Sequence, residues 1–228
     1  MVRQGGALLL RGVSVAATAG EVLGVLGPSG AGKTTLFRAL CGELEVAAGT
    51  VCLDGADITS WPLWKRARAG LGYVPQSPSV FWDLTVRQNL ETYGRVALGR
   101  VGDIEANAAR VGLSDRLEVR GSELSAGERR RLEFARSVTR LPRVLVCDEP
   151  FAGVDPKGAE RLGELLRGLA LQGVAVLLAD HHVSEALAVC TRALLLVDGQ
   201  VVVEAEPAEF REHPVVRARY LIEGLGRH

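Results

Sequence analysis

An excess of charge of either sign is missing from this chain. Lys+Arg and Asp+Glu each number 27 in 228 residues, which argues against a general nucleic-acid binder, since phosphate contacts need a basic excess. Aromatic residues make up only 5%, and none precedes Phe37. Four cysteines (Cys41, Cys52, Cys147, Cys190) include no C-x-x-C pair and no metal-ligand spacing. Three of them lie in apolar runs and read as small core residues of a reducing compartment. No apolar run reaches membrane-spanning length, and the apolar part of MVRQGGALLLRG is too short for a signal peptide. These absences predict a cytoplasmic chain, able to serve a membrane only through a partner. There is no internal repeat and no low-complexity linker. What remains is 47% hydrophobic and 24% charged, an ordinary core-forming composition whose length suits one α/β domain with an inserted subdomain.

One stretch organises the rest: VLGVLGPSGAGKTTLFRAL, beginning at Val22. Val22 to Leu26 reads as a buried strand. Gly27-Pro28-Ser29-Gly30-Ala31-Gly32-Lys33-Thr34 fits G-x-x-x-x-G-K-[ST], and a helical pattern starts at Thr35. Glycines let the backbone curl with its N–H groups inward and close to phosphate oxygens, and the helix adds its positive dipole end. Lys33 is placed to reach β- and γ-phosphates and the Thr34 hydroxyl to ligate Mg²⁺. A strand–loop–helix of this kind predicts a nucleoside-triphosphate site.

Further strands are expected at residues 50–53, 71–74, 144–147, 174–179, 194–197 and 201–203, with Asp54-Gly55 and Asp198-Gly199-Gln200 as turns. Residues 61–70 (WPLWKRARAG) form a short basic helix. Residues 76–140 change character, with helical spacing at 85–93, 104–111 and 126–140, and are read as a helical insertion. Another amphipathic helix spans 159–171, and the tail from Pro207 reads helical.

Three more motifs carry chemistry. RVLVCDEP puts Asp148 and Glu149 at the carboxyl end of a buried strand, where open α/β sheets collect ligands. Asp148 suits Mg²⁺, and Glu149 suits polarising a water for attack on the γ-phosphate. Ser125-Ala126-Gly127-Glu128 opens a long helix, with Ser125 as cap and Gly127 leaving room for phosphate. His181 follows the apolar run VAVLLAD.

Together these residues resemble the ATP-binding-cassette ATPases, whose signature is L-S-G-G-Q/E; Ala126 replaces its third residue. The resemblance covers nearly the whole chain. It implies a phosphate-loop NTPase core (a mostly parallel sheet with flanking helices), antiparallel β strands, and the helical subdomain at residues 76–140 carrying the signature. It implies that residues 27–35, with Thr35 closing the loop, bind ATP and Mg²⁺. Gln76 then senses Mg²⁺ and the attacking water, Asp155 of AGVDP crosses to the opposite subunit, and His181, rather than His182, contacts the γ-phosphate. Ser125, Ala126 and Gly127 would complete the site of a second copy, so the expected form is an ATP-sandwich homodimer. Family members usually carry an adenine-stacking aromatic 20 to 25 residues before the loop; counting back lands near Gln4, and no ring is there. Stacking on a base contributes about 1–3 kcal/mol, so weaker ATP binding than in relatives is expected.

Within the family, WPLWKRARAGLGYVPQSPSVF, LSAGERRRLEFAR, DEPFAGVDP and ADHHVSEALAVCTRALLLVDGQ look most like the ATPases of lipopolysaccharide export, which work as homodimers beneath two membrane subunits. Branched-chain amino-acid importer ATPases are the alternative, and non-transport cassette ATPases a more distant one. The resemblance places the chain peripherally on the inner face of the cell membrane and puts Phe81 and Trp82 in the groove that receives the membrane partner. For each ring, burial in the helical region is an equally good reading. Exposure of the pair would instead mark a partner surface.

Overall fold

The computed structural model describes residues 1–4 and 7–221, without the side chains of residues 3, 4 and 221. The chain runs β1 (Val2–Gln4), β2 (Ala7–Leu10), β3 (Val22–Leu26), α1 (Lys33–Cys41), β4 (Cys52–Leu53), β5 (Ala56–Asp57), α2 (Leu63–Ala69) and β6 (Leu71–Val74). It continues with α3 (Val86–Leu98), α4 (Ile104–Arg110), α5 (Ala126–Ser137), β7 (Val144–Asp148), α6 (Pro156–Leu171) and β8 (Ala175–Ala179). Then come α7 (Val183–Val189), β9 (Arg192–Val197), β10 (Gln200–Ala205) and α8 (Pro207–Glu212).

Six strands form one sheet in the order β10-β9-β3-β8-β7-β6, parallel except for the β9–β10 hairpin. Continuous apolar runs such as VLGVL suit strands buried on both faces. Alternation divides them: Val22, Leu26, Leu145, Cys147, Val176 and Leu178 pack toward α5, α6 and α7. Leu23, Val25, Val146, Leu177 and Ala179 pack toward Leu36 and Phe37 of α1. The result is three layers, helix–sheet–helix. Two small antiparallel pairs, β1–β2 and β4–β5, accompany it. Between β6 and β7 every regular described element is helical.

Because β3, β7 and β8 are parallel neighbours in the sheet, with Asp148 level with Ala179, the segments leaving their carboxyl ends emerge along one edge. That places the phosphate loop, Asp148-Glu149 and Asp180-His181-His182 together.

Several element limits differ from expectation. The 50–53 strand shrinks to Cys52–Leu53. Helix α3 runs on to Leu98, stopped by Gly99 at φ 70°. Helix α5 ends at Ser137, ahead of Pro142, which cannot continue a helix. Helix α6 starts at Pro156, earlier than apolar spacing suggests, because Asp155 caps it and Pro156 supplies a ready helical φ. Helix α2 starts at Leu63 rather than at Trp61, whose N–H is used by the Ile58 carbonyl. Both Asp-Gly turns form, with φ 49° and 79° at Asp54-Gly55 and 49° and 73° at Asp198-Gly199. Cys41, Cys147 and Cys190 are buried and Cys52 is exposed. The tail is helical at Pro207–Glu212 and Pro214–Val216; the expectation for residues past 221 lies outside the described residues.

Candidate functional site

The loop between β3 and α1 is built around close backbone approach. Gly27 sits at φ 155°, and a Cβ there would lie 2.1 Å from the Leu196 carbonyl oxygen of β9, so no other residue fits without moving the strand. Gly27 and Ala31 are buried, Pro28 is half-buried, and Ser29 and Gly30 are exposed. Helix α1 begins at Lys33 with Gly32 at its cap: no side chain accepts its leading N–H groups, and no acid lies in its first turn. Those N–H groups and the helix dipole form an anion site. Lys33 Nζ spans the loop, donating to the carbonyls of Gly27 (2.6 Å) and Pro28 (2.9 Å). Burial lowers its pKa, opposed by the charges of Glu149, Asp148 and Asp180. Thr34 and Thr35 follow in the first turn, both half-buried.

Asp148 ends β7 with 1% of its surface exposed, and its Oδ2 has no hydrogen-bond partner among the described residues. Burial raises its pKa; the Thr34 hydroxyl and the Lys33 and Arg130 charges pull it down, while the Glu149 charge adds to the rise. A buried carboxylate oxygen without a partner, beside a hydroxyl and an anion-binding loop, fits a hard divalent cation with oxygen ligands such as Mg²⁺.

Glu149 occupies the left-handed region at φ 52°, a conformation that costs a non-glycine residue about 1–3 kcal/mol. It is held there from both sides: its N–H donates to the Ala179 carbonyl (2.7 Å), and Arg130 donates to its carbonyl (2.8 Å). His181 Nδ1 stands 3.6 Å from Glu149 Oε2, with the ring more than half exposed.

Three groupings were not foreseen from the sequence. Arg130, 6% exposed, donates to the Pro75 and Asp148 carbonyls as well as to Glu149, and pairs with Glu133 Oε2 at 2.9 Å. Glu133 in turn accepts from the N–H and hydroxyl of Ser79. One arginine thus ties α5 to the segment preceding Gln76 and to the turn carrying Glu149; its i,i+3 acid partner was the available signal. Buried Asp180 accepts from the Phe151 N–H (2.8 Å) through Oδ2, joining the Glu149 turn to the histidine turn. Buried Asn89 exchanges hydrogen bonds with the backbone of Phe81 and donates to Leu84 and Thr85 carbonyls, shaping the turn that presents Phe81 and Trp82.

The side chains of the remaining expected residues form no hydrogen bond with this cluster among the described residues. Gln76 is exposed and makes no side-chain hydrogen bond among the described residues. Ser125 caps α5 in a reciprocal box with Glu128; Ala126 is exposed and Gly127 buried. A Cβ on Gly127 would meet nothing nearer than 3.8 Å, its neighbours being Arg131, Gly153 and Val154, so packing within the chain does not require glycine there. Asp155 caps α6, accepting from the Gly158 N–H at 3.0 Å, and that bond lowers its pKa. Gln4 belongs to β1, and its side chain lies outside the described residues. Phe81 and Trp82 are 42% and 45% exposed, with Arg136 over the Phe81 ring and Arg129 over Trp82.

A mostly parallel sheet, a phosphate loop leaving its central strand β3 and a buried carboxylate at the same end of β7, with β8 between them, define a phosphate-loop nucleotide-binding protein. Comparison with known proteins narrows the class. Residues 10–152 match the ABC transporter family profile. The lipopolysaccharide export system ATP-binding protein LptB of Acidithiobacillus ferridurans is 42% identical over 218 residues, covering 94% of this chain and 90% of the relative. LptB of Escherichia coli K12 is 37% identical, with 96% and 92% covered. A solved ATP-binding cassette of an ABC transporter in its ADP conformation superposes with a TM-score of 0.85 at 26% identity, over 96% of this chain and 95% of that one. The chain belongs to the ABC transporter family and is one of its ATPases.

Proposed function

We propose that the chain is the ATP-hydrolysing subunit of a lipid exporter of the lipopolysaccharide type, acting as a homodimer on the inner face of the membrane. The observation that carries the hydrolytic reading is the meeting of Lys33, Asp148, Glu149 and His181 along one sheet edge. In this reading the α1 N–H groups, residues 27–35 and Lys33 bind the triphosphate. Asp148 and Thr34, with Gln76, hold Mg²⁺, which offsets phosphate charge when bound. Glu149, fixed at its strained turn, takes the proton of the attacking water. His181 stands beside that carboxylate, placed to contact the γ-phosphate and keep the water aligned. Residues 76–140 act as a helical subdomain whose Ser125, Ala126 and Gly127 close the site of the second copy, with Asp155 at the crossing. The absence of an intrachain reason for Gly127 supports this.

The lipopolysaccharide reading rests on the two relatives named for that export system. Among the described residues no helix is long and apolar enough to cross a membrane, so the spanning subunits would be separate chains. The exposed Phe81–Trp82 pair supports a partner surface, beside a groove of about 520 Å³ lined in part by Trp64, Tyr73, Tyr93 and Arg136. Glu149→Gln should bind ATP normally and lose about 10²–10⁴-fold in turnover, the usual contribution of a general base; near-wild-type turnover would reassign the base. Purification with its membrane subunits distinguishes lipid export from the amino-acid importer alternative.

A further inference from the structure

The proposed hydrolysis uses His181 and gives His182 no task, although His182 Nδ1 is held against the buried Asp180 carboxylate. Directly after β8, one oxygen of Asp180 and one ring nitrogen from each histidine all lie within 4.8 Å of one another. His182 Nδ1 is 2.8 Å and His181 Nδ1 3.6 Å from Asp180 Oδ1. Glu149 Oε2 stands 3.6 Å from His181 Nδ1 at the neighbouring strand end, outside that three-residue set. The rings are tilted by 40° with centroids 4.0 Å apart, rather than stacked flat. Asp180 is fully buried and its oxygens are aimed by fixed donors, Phe151 N–H onto Oδ2 and His182 N–H onto Oδ1. Hydrogen bonds of that kind orient ligating carboxylates in metal sites.

Two imidazoles and one carboxylate oxygen converging at the end of β8, with water free to complete the shell, suit a borderline-soft ion with nitrogen and oxygen ligands. Zinc takes such a set readily, whereas Mg²⁺ prefers six oxygens. We propose that Asp180, His181 and His182 form a zinc-type cation site, separate from the Mg²⁺ position at Asp148 and Thr34, and that filling it arrests hydrolysis by tying His181 to the ion. Ligation through His182 Nδ1 replaces its contact with Asp180 Oδ1 and leaves the ring proton on Nε2, the neutral imidazole being the ligand form. The arrest rests on the hydrolytic role given to His181; the binding does not.

The test uses the full chain without nucleotide. Zn²⁺ binding is measured by calorimetry, and Co²⁺ serves as a visible-absorbing stand-in whose spectrum reports four-coordination. His182→Asn removes one ligand while keeping a residue well suited to cap α7. One equivalent should bind to the wild type, and the variant should bind at least about tenfold more weakly, in line with losses seen when metal sites are altered. With Mg²⁺ in fixed excess, Zn²⁺ should slow ATP turnover of the wild type, while His182→Asn keeps the basal rate and resists the ion. Cys52→Ser, which removes the exposed thiol, should change neither result. Equal Zn²⁺ affinity in His182→Asn, loss of binding in Cys52→Ser, or a Co²⁺ spectrum like that of the aqueous ion would each overturn the site. Those outcomes leave the Glu149 assignment standing, and unimpaired turnover of Glu149→Gln would sink that assignment without touching the binding measurement.

Discussion

At the scale of the residue, Asp148 shows how an ATPase stores instability at its centre. Its carboxylate is buried, one oxygen is unpartnered among the described residues, and the Glu149 charge lies next to it. Burial holds its folded pKa above the ordinary 3.8, which fixes the sign of its effect on stability. The contribution is fully present below the unfolded pKa and is lost as pH rises through the folded value, so at neutral pH the ionised group is a liability. Asp148→Asn should therefore melt a few degrees higher than wild type at neutral pH, each kcal/mol being about 2–4 °C at this chain length, while losing turnover. The gap should close on acidification, and MgATP should stabilise the wild type more than the variant. Parallel melting curves at every pH, followed by calorimetry, would show that the carboxylate is better solvated than its burial implies.

At the scale of the element, α5 does two jobs within its first turns. Ser125 and Ala126 are exposed at its start with Gly127 buried behind them, while Arg130 one turn later is buried against the backbone of Pro75, Asp148 and Glu149. Removing one member of a buried ion pair costs about 3–5 kcal/mol because the other charge is left alone. Arg130→Met should destabilise the chain by that order, and adding Glu133→Leu should recover part of the loss. Both variants should show a lower kcat with little change in the KM for ATP, since Glu149 loses a tie at its strained turn while the phosphate loop is untouched. A double variant no more stable than the single one would mean that Ser79, not Arg130, satisfies Glu133. This node also marks where sequence reading stops. The phosphate loop, the Asp148-Glu149 strand end and the Ser125 cap were legible because each is a contiguous pattern whose chemistry depends on neighbours in the chain. Which of Arg129, Arg130 and Arg131 is buried depends on helix phase against a loop some 55 residues away, and no local pattern carries that. The start of α6 was missed for another reason: its first turn, Pro156-Lys157-Gly158, has no apolar residue to set a period, and only the Asp155 cap announces it. The placement of β3 between β8 and β9, which gathers the site, follows from pairing across long separations.

At the scale of the whole molecule, the chain presents surfaces that its own fold does not use. Phe81 and Trp82 stand out from the helical region with arginines over their rings, and Phe81→Ala should leave the ATPase activity of the isolated chain unchanged while weakening its recovery with membrane subunits; unchanged recovery would return the ring to a purely local role. Gly127 tests the larger idea that each ATP is shared between two copies. Inside the chain an added Cβ would meet only ordinary contacts at 3.8 Å, and alanine within a helix is favoured over glycine by about 1 kcal/mol. Gly127→Ala should consequently fold and melt at or slightly above the wild-type temperature. If the α5 end faces phosphate across a dimer interface, that same methyl occupies the space the γ-phosphate needs. ATP-driven dimerisation, followed by sedimentation in a Glu149→Gln background that prevents hydrolysis, should then weaken at least about tenfold, the equivalent of 1.4 kcal/mol. ATP binding to the monomer, governed by residues 27–35, should stay as it was. Loss of nucleotide affinity in the monomer would place Gly127 in the chain's own site. Undiminished dimerisation would remove the signature helix from the interface, leaving residues 27–35 without the second half that hydrolysis in trans requires.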